Sequence, residues 1–520
     1  MNEFAEIVFG LVYPVGVDVD PAVAVLRDYL AQLNYKLDLF RISDHLRSLS
    51  LGIEFDESDP LGLSHALMDA GNKARMKAEA SDILAIAALN HVFLNRSKDD
   101  NKNPMPRNNV VHIIRSFKRP EEVKLLRDIY RPGFFLIGIA ADEKEQIEFL
   151  RSRKGLTETQ ARSLIARDRD ESGIHGQRTR DTFYLADVFV QLARGEYKDQ
   201  LKRFLDLVFG CPFRTPTREE HAMFSAYASA ARSASLGRQV GAAVATHEGE
   251  VLSVGANEVP QAGGGPYWEG DKKDHRDHTK PKDSNQEHRS RIIGSIIEKL
   301  KSKLFFSSSV RTLFENAFKD ETSEAEVGRR VNAALEKNKT ALLESDEAAA
   351  LIEASDLKEI TEYGRSVHAE MDAILTCARL GISVKGRILF TTTFPCHNCT
   401  RHIIGAGICK VVYIEPYPKS KAKDLHDDSI TFGLEDAEKT GRIPFVPFVG
   451  VGPRRYLDFF SLQLSAGYDI ERKAKDGIPT DWSWDSHNGP RVAMLPYTYL
   501  EREAKVINER SQQLKKLLED

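Results

Sequence analysis

The chain has 520 residues, 41% of them hydrophobic and 29% charged, with a formal net charge of -4. Those values fit a globular protein of two to four domains. They exclude the overall basic surplus of a binder of long nucleic acid, though not a local basic groove, and no run reaches the roughly 20 apolar residues of a membrane helix.

The start, Met1-Asn2-Glu3-Phe4-Ala5-Glu6, lacks the basic stretch of a secretory signal. Residues 6–12 predict a short buried strand, followed by a loop with Pro14 and Gly16. A helix is expected over 21–34, with Asp20 as N-cap and Pro21 at its first position. One long helix is expected over 73–96, a strand over 110–114, a helix over 120–130 and a strand over 134–140. Strands alternating with helices argue for a parallel sheet. The stretch 142–200 reads as mostly helical and charged, which closes an α/β domain at about 1–205.

From 217 the pattern restarts with a helix over 217–236 and two strands, 240–246 and 251–257, joined by the turn 247–250. A glycine loop at 263–265 and a polar stretch, 267–290, come next, and then a charged helical insertion over 291–362. A helix over 366–380, a strand over 387–393, a helix over 396–407 and a strand over 409–415 follow. The tail, 500–519, reads as a polar helix.

The five cysteines, Cys211, Cys377, Cys396, Cys399 and Cys409, are few, odd in number and partly clustered. This reads as a reduced, cytoplasmic, metal-binding protein and not as a disulfide framework. Two segments carry chemistry: Ser366-Val-His368-Ala-Glu370 and Thr393-Phe-Pro395-Cys396-His-Asn-Cys399. Cys396 and Cys399 stand three apart at a helix start, so both sulfurs share one face. The positive helix end favours their metal-binding thiolate form. With His368 they make three ligands of a tetrahedral Zn2+ and leave the fourth position for water, whose pKa zinc lowers to about 7. Glu370, two residues beyond His368, is placed to carry protons between water and substrate. Taken alone, the Cys-x-x-Cys pair is also compatible with a structural zinc half-site or a redox pair. Together the segments form H-x-E … P-C-x-x-C, the zinc-deaminase signature, with attack expected at C4 of cytosine. His397 and His402 read as surface or packing residues, and Cys377 and Cys409 as small buried ones.

Residues 217–430 resemble the cytidine/deoxycytidylate deaminase superfamily, most of all its dCMP-type branch. The resemblance rests on the zinc segments, on Ser235-Leu-Gly-Arg238-Gln239-Val240-Gly241 and on Val254-Gly255-Ala-Asn257. It implies substrate contacts from Asn257, which ends the second strand, and from Gln239. The family usually has Gly-Tyr-Asn where this chain has Gly255-Ala256-Asn257, and Asn257 also reads as a turn residue. The whole arrangement resembles bacterial anti-phage deoxycytidine nucleotide deaminases. The Gly263-Gly-Gly265-Pro-Tyr-Trp268 segment belongs to that likeness. It implies an N-terminal P-loop-kinase-like parallel-sheet domain (1–205) and a C-terminal α/β/α cytidine-deaminase-like sandwich (206–520), with a helical insertion at about 267–362. It also implies depletion of dCTP or dCMP, a homo-oligomer, and in some cases an inhibitory RNA partner or an allosteric nucleotide.

Tyr417, Lys419 and Lys421 are candidates to meet base or phosphates, or else form a solvated basic loop. His275, His278 and His288 are candidates for a second metal site, or chance histidines of a polar loop. Gly10 and Gly16 bracket the place of a phosphate loop. Their spacing is one residue too long for G-x-x-x-x-G-K-[ST], and Val17 and Asp18 replace Lys and Ser/Thr. Kinase activity is therefore not expected. The run with Arg162, Arg167, Arg169, Arg178 and Arg180 reads as a salt-bridged helix or a lid over phosphate or RNA. A deaminase of bases within tRNA or single-stranded DNA is the alternative activity, disfavoured by the acidic balance.

Overall fold

The computed structural model describes residues 6–171, 173–192, 196–285, 287–288, 291, 363–414, 421–462, 470–487, 489–491 and 496–518. The expected insertion over 291–362 therefore lies almost wholly outside the described residues, as do Tyr417 and Lys419. Two compact units result. One comprises 1–231, 240–256 and 368–520, and the other 232–239 and 257–367.

The first unit holds two sheets of six strands each. In the first sheet, β1 (Ile7–Val12), β2 (Lys36–Arg41), β3 (Val110–Arg115), β4 (Phe134–Ala140) and β5 (Val188–Gln191) run parallel in the order β5-β4-β1-β3-β2. β1, β3 and β4 are buried along their whole length. Their near-continuous apolar sequences suit strands covered on both faces.

The second sheet contains β6 (Gly241–Ala245), β7 (Val251–Ala256), β8 (Ile388–Thr391), β9 (Lys410–Tyr413), β10 (Ile430–Thr431) and β11 (Ile443–Pro447), in the order β10-β11-β9-β8-β6-β7. β6 runs antiparallel to both neighbours, while β8, β9, β11 and β10 are mutually parallel. This is a mixed α/β sheet, as expected.

The two sheets are joined by later chain. β12 (Gly450–Val451) pairs antiparallel with β5 and completes the first sheet. Glu220, fully buried on the helix Arg218–Ala230, bonds both Arg203 and the Val451 amide. The helix Pro496–Glu509 returns Glu503 to Arg96, which also holds Glu6 on the strand side. Tyr130 and Tyr499 donate to Glu503 and Glu6.

Several expectations change. Val19, not Asp20, is the N-cap of the helix Asp20–Gln32, because the Asp20 carboxylate is drawn to Arg115 at 2.6 Å. The single helix expected over 73–96 is two, Pro60–Ala78 and Ile83–Leu94. Glu79 breaks it with a left-handed φ of 52°, a cap that glycine usually supplies, so no residue marked it. β2 and β5 were not expected. β2 is a half-exposed edge, and β5 has only four residues inside a charged stretch. The helix expected over 217–236 ends at Ala230.

The second unit is described by itself. In it Glu258 and Val367 pair as an isolated antiparallel bridge, and Arg365 holds Asp277 at 3.1 Å. No described helix is long and apolar enough to cross a membrane.

Candidate active site

Both metal-binding segments sit at helix starts. His368 is the N-cap of the helix Ala369–Arg379, and Cys396 is the N-cap of the helix His397–Ala406. The Cys396 sulfur accepts the Cys399 amide at 3.4 Å, so the cap itself aims one sulfur over the helix end. Thr400 anchors the same turn by donating to the Cys396 carbonyl at 3.0 Å. Behind it, Phe394 is buried edge-on against Tyr413 at 4.9 Å.

The His368 helix is clamped on β7. Gly255 allows this, since a Cβ there would stand 2.3 Å from the Ala369 carbonyl. Ser253 donates to the Ala373 carbonyl at 2.9 Å, and Cys377 donates to Ser253 at 3.1 Å. Asp372, buried, accepts the Ala256 amide at 3.1 Å. Asp372 lies outside the H-x-E … P-C-x-x-C motif. Its signal was its place four residues after His368, which turns it to the same helix face.

His368 Nδ1 lies 3.3 Å from the Cys396 sulfur and 3.4 Å from the Cys399 sulfur. Ligand atoms around a tetrahedral zinc with Zn–S near 2.3 Å and Zn–N near 2.0 Å stand about 3.5 Å apart. The donor set and spacing therefore fit zinc. Among the described residues this is the one His/Cys/Asp/Glu group compact enough to hold a metal. His275, His278 and His288 do not come together. His275 faces Tyr267, His278 stands 3.7 Å from Asp274, and His288 stacks on Tyr363.

The three donors are electrostatically coupled. The hydrogen bond from Cys399 and the nearby His368 hold Cys396 down at about 3, against its burial. The Cys396 sulfur in turn lifts His368 to about 9, again against burial. Cys399 is pushed far up, first by sharing its hydrogen with Cys396 and then by burial. Metal binding needs deprotonated donors and would therefore release protons from this group. Glu370 is 3% exposed and accepts from the Cys399 sulfur at 3.5 Å; burial pushes its carboxyl up.

A family profile described as "Cytidine and deoxycytidylate deaminase zinc-binding region" matches residues 216–415, which span both helix starts. Residues 216–415 thus match the zinc-binding region described for cytidine and deoxycytidylate deaminases, and the match includes the His368, Cys396 and Cys399 group. The chain is 46% identical over 55 residues to the deoxycytidylate deaminase of Enterobacteria phage T2, covering 11% of this chain and 29% of that protein. It is 45% identical over 53 residues to ComE operon protein 2 of Bacillus subtilis, covering 10% and 28%. The mouse deoxycytidylate deaminase is 28% identical over 102 residues, or 20% and 52%. The chain thus spans less than a third of the first two relatives. The cyanophage S-TIM5 dCMP deaminase structure superposes at a TM-score of 0.21 with 16% identity, covering 45% of this chain and all of that one, too loose to establish a common fold.

The other described candidates have partners of their own. The Asn257 amide donates to the Arg238 carbonyl at 2.9 Å and the Gln239 amide to the Ser233 carbonyl at 2.6 Å, so each braces the loop 232–239. Lys421 is exposed. Gly10 lies inside β1, where a Cβ would meet the Phe117 ring at 2.8 Å, so it serves packing; Gly16 belongs to the loop after β1. Four of the five arginines of the run form ion pairs: Arg162 with Glu143 and Glu158, Arg167 with Asp69 and Glu171, Arg178 with Glu121 and Asp181, and Arg180 with Asp170.

Proposed function

We propose that this protein is a zinc-dependent hydrolase that deaminates deoxycytidine nucleotides, converting dCTP or dCMP to the deoxyuridine nucleotide and ammonia. One observation carries the reading: a buried carboxyl, Glu370, stands directly beside a His368/Cys396/Cys399 donor trio, and three protein ligands would leave the fourth position of a tetrahedral zinc for water. A structural zinc site has no need of such a carboxylate.

Bound zinc would supply Lewis acidity, bringing water near neutral ionisation. His368, Cys396 and Cys399 would hold it. In the reaction, oxygen from water bonds to C4 of cytosine and the bond from C4 to the exocyclic nitrogen breaks. Glu370 takes one water proton and passes it to the ring nitrogen, then takes the second from the new hydroxyl on C4 and gives it to the departing amine, leaving a C4 carbonyl and ammonia. Its burial keeps these transfers away from bulk water. Asn257 and Gln239 supply sugar or phosphate contacts in this reading, as do Tyr417 and Lys419.

The part at about 1–205 serves as a kinase-like regulatory platform and that at 206–520 as the deaminase, with β12 and the last helices returning to the platform. The biological role that follows is nucleotide depletion in anti-phage defence by a cytoplasmic homo-oligomer. An inhibitory RNA or an allosteric nucleotide would restrain it.

The test is deamination of dCTP, dCMP, CTP, cytidine and a cytosine-containing single-stranded DNA, with wild type beside Glu370→Ala. Turnover of a free deoxynucleotide that is lost in the variant supports the proposal. Turnover of the oligonucleotide alone replaces it with a polymer-directed deaminase.

A further inference from the structure

In doubly wound parallel sheets, ligands enter the crevice beyond the carboxyl ends of the strands where the strand order turns back. In this sheet that place is the end of β1, between β3 and β4. The loop 13–19 lies there. Gly16 takes a φ of 85°, and a Cβ there would stand 2.9 Å from the Gln146 carbonyl on the helix Glu143–Lys154, so the close approach requires glycine. The Val15 amide and the Lys118 ammonium converge beside it.

Both groups hold the same partner. One Asp168 oxygen accepts the Val15 amide at 2.9 Å, and the other accepts Lys118 Nζ at 2.7 Å. Lys118 also donates to the Tyr13 carbonyl at 2.9 Å and stands over the Tyr13 ring. Asp168 is 0% exposed and comes from the helix Glu158–Arg169. A backbone N–H and a cation sharing one oxyanion is how proteins grip phosphate. Asp18, expected to repel an anion here, is exposed and accepts the Asp20 amide.

The helix that carries Asp168 rests on a small apolar cluster of its own. Ala161, Leu164 and Ile165 pack with Met68, Ile147 and Leu150, apart from the two large clusters of the first sheet. An element with a separate, small core opens more readily than one built into the main core.

We propose that the loop 13–19 with Lys118 is a phosphate-binding site whose anion position is filled by Asp168. A phosphate-bearing ligand binds only when the helix Glu158–Arg169 withdraws that carboxylate.

The test is titration calorimetry of the full chain with inorganic pyrophosphate and with ATP, for wild type, Asp168→Ala and the isosteric Asp168→Asn. Both variants should bind pyrophosphate roughly tenfold or more tightly than wild type, and adding Lys118→Met should abolish the gain. ATP binding tighter than pyrophosphate shows that the site reads a nucleotide; equal binding shows that it reads phosphate alone. Zinc content and circular dichroism report folding, and if Asp168→Ala does not fold, Asp168→Asn decides. A folded variant that binds no tighter than wild type overturns the proposal, as does wild type binding as tightly as the variants. The readout does not depend on deamination.

Discussion

At two places in this chain several polar groups converge on one point. At the zinc site, the ligand atoms of His368, Cys396 and Cys399 converge within 4.8 Å of one another. At the loop after β1, Val15 and Lys118 converge on a point that Asp168 already occupies. The first cluster offers donors spaced for a metal ion, and the second already holds its counter-charge within the chain. A set of ligand-like residues therefore becomes a site through what compensates it, and residue types alone do not say which case holds.

The comparison is tested most strongly by removing a donor. Cys399→Ser should reduce bound zinc well below one ion per chain and take deamination to background, read by metal analysis and ammonia release. Glu370→Gln should separate chemistry from binding. Zinc content should be unchanged while kcat falls about 10²–10⁴-fold. If zinc is lost with it, Glu370 belongs to the metal site and not to proton transfer.

In the first sheet the same operation should cost stability and leave chemistry alone. Arg96 is buried between Glu6 and Glu503, so Arg96→Met strands two carboxylates and should cost about 3–5 kcal/mol, read as a lower urea midpoint.

The smallest effect is that of pH on the same network. Burial pushes Glu6 up, but His112 and Arg96 outweigh it and hold it at about 2. A fall from 4.5 to about 2 is worth about 3 kcal/mol, present above pH 4.5 and lost as pH drops toward 2. His112 is raised by Asp38 and Glu6 despite its burial. Its contribution is complete below pH 6.5 and declines as pH rises through the raised value. The urea midpoint should therefore peak between about pH 4.5 and 6.5, and His112→Gln should flatten its alkaline side. An unchanged alkaline limb in that variant would remove His112 from the account.

The zinc site was legible because its parts are local. A histidine or cysteine at an N-cap and a partner two or three residues on are placed by one helical turn, and Gly255 marks where the helix must touch β7. The strands β1, β3 and β4 were legible because burial on both faces favours a mostly apolar run, which in β3 only His112 and the terminal Arg115 interrupt. The break at Glu79 and the four-residue β5 were not, since neither carries a residue that its conformation requires.

By itself, then, the sequence determined the chemistry of the metal donors, the strands β1, β3, β4 and β6 to β9, and the absence of a working lysine after Gly16. Tertiary structure alone decided which charges neutralise each other. Asp168 reaches Val15 across 153 positions and Glu503 reaches Arg96 across 407. Electrostatic energy depends on distance in space and on exclusion of water, and neither is encoded in the local pattern of the chain.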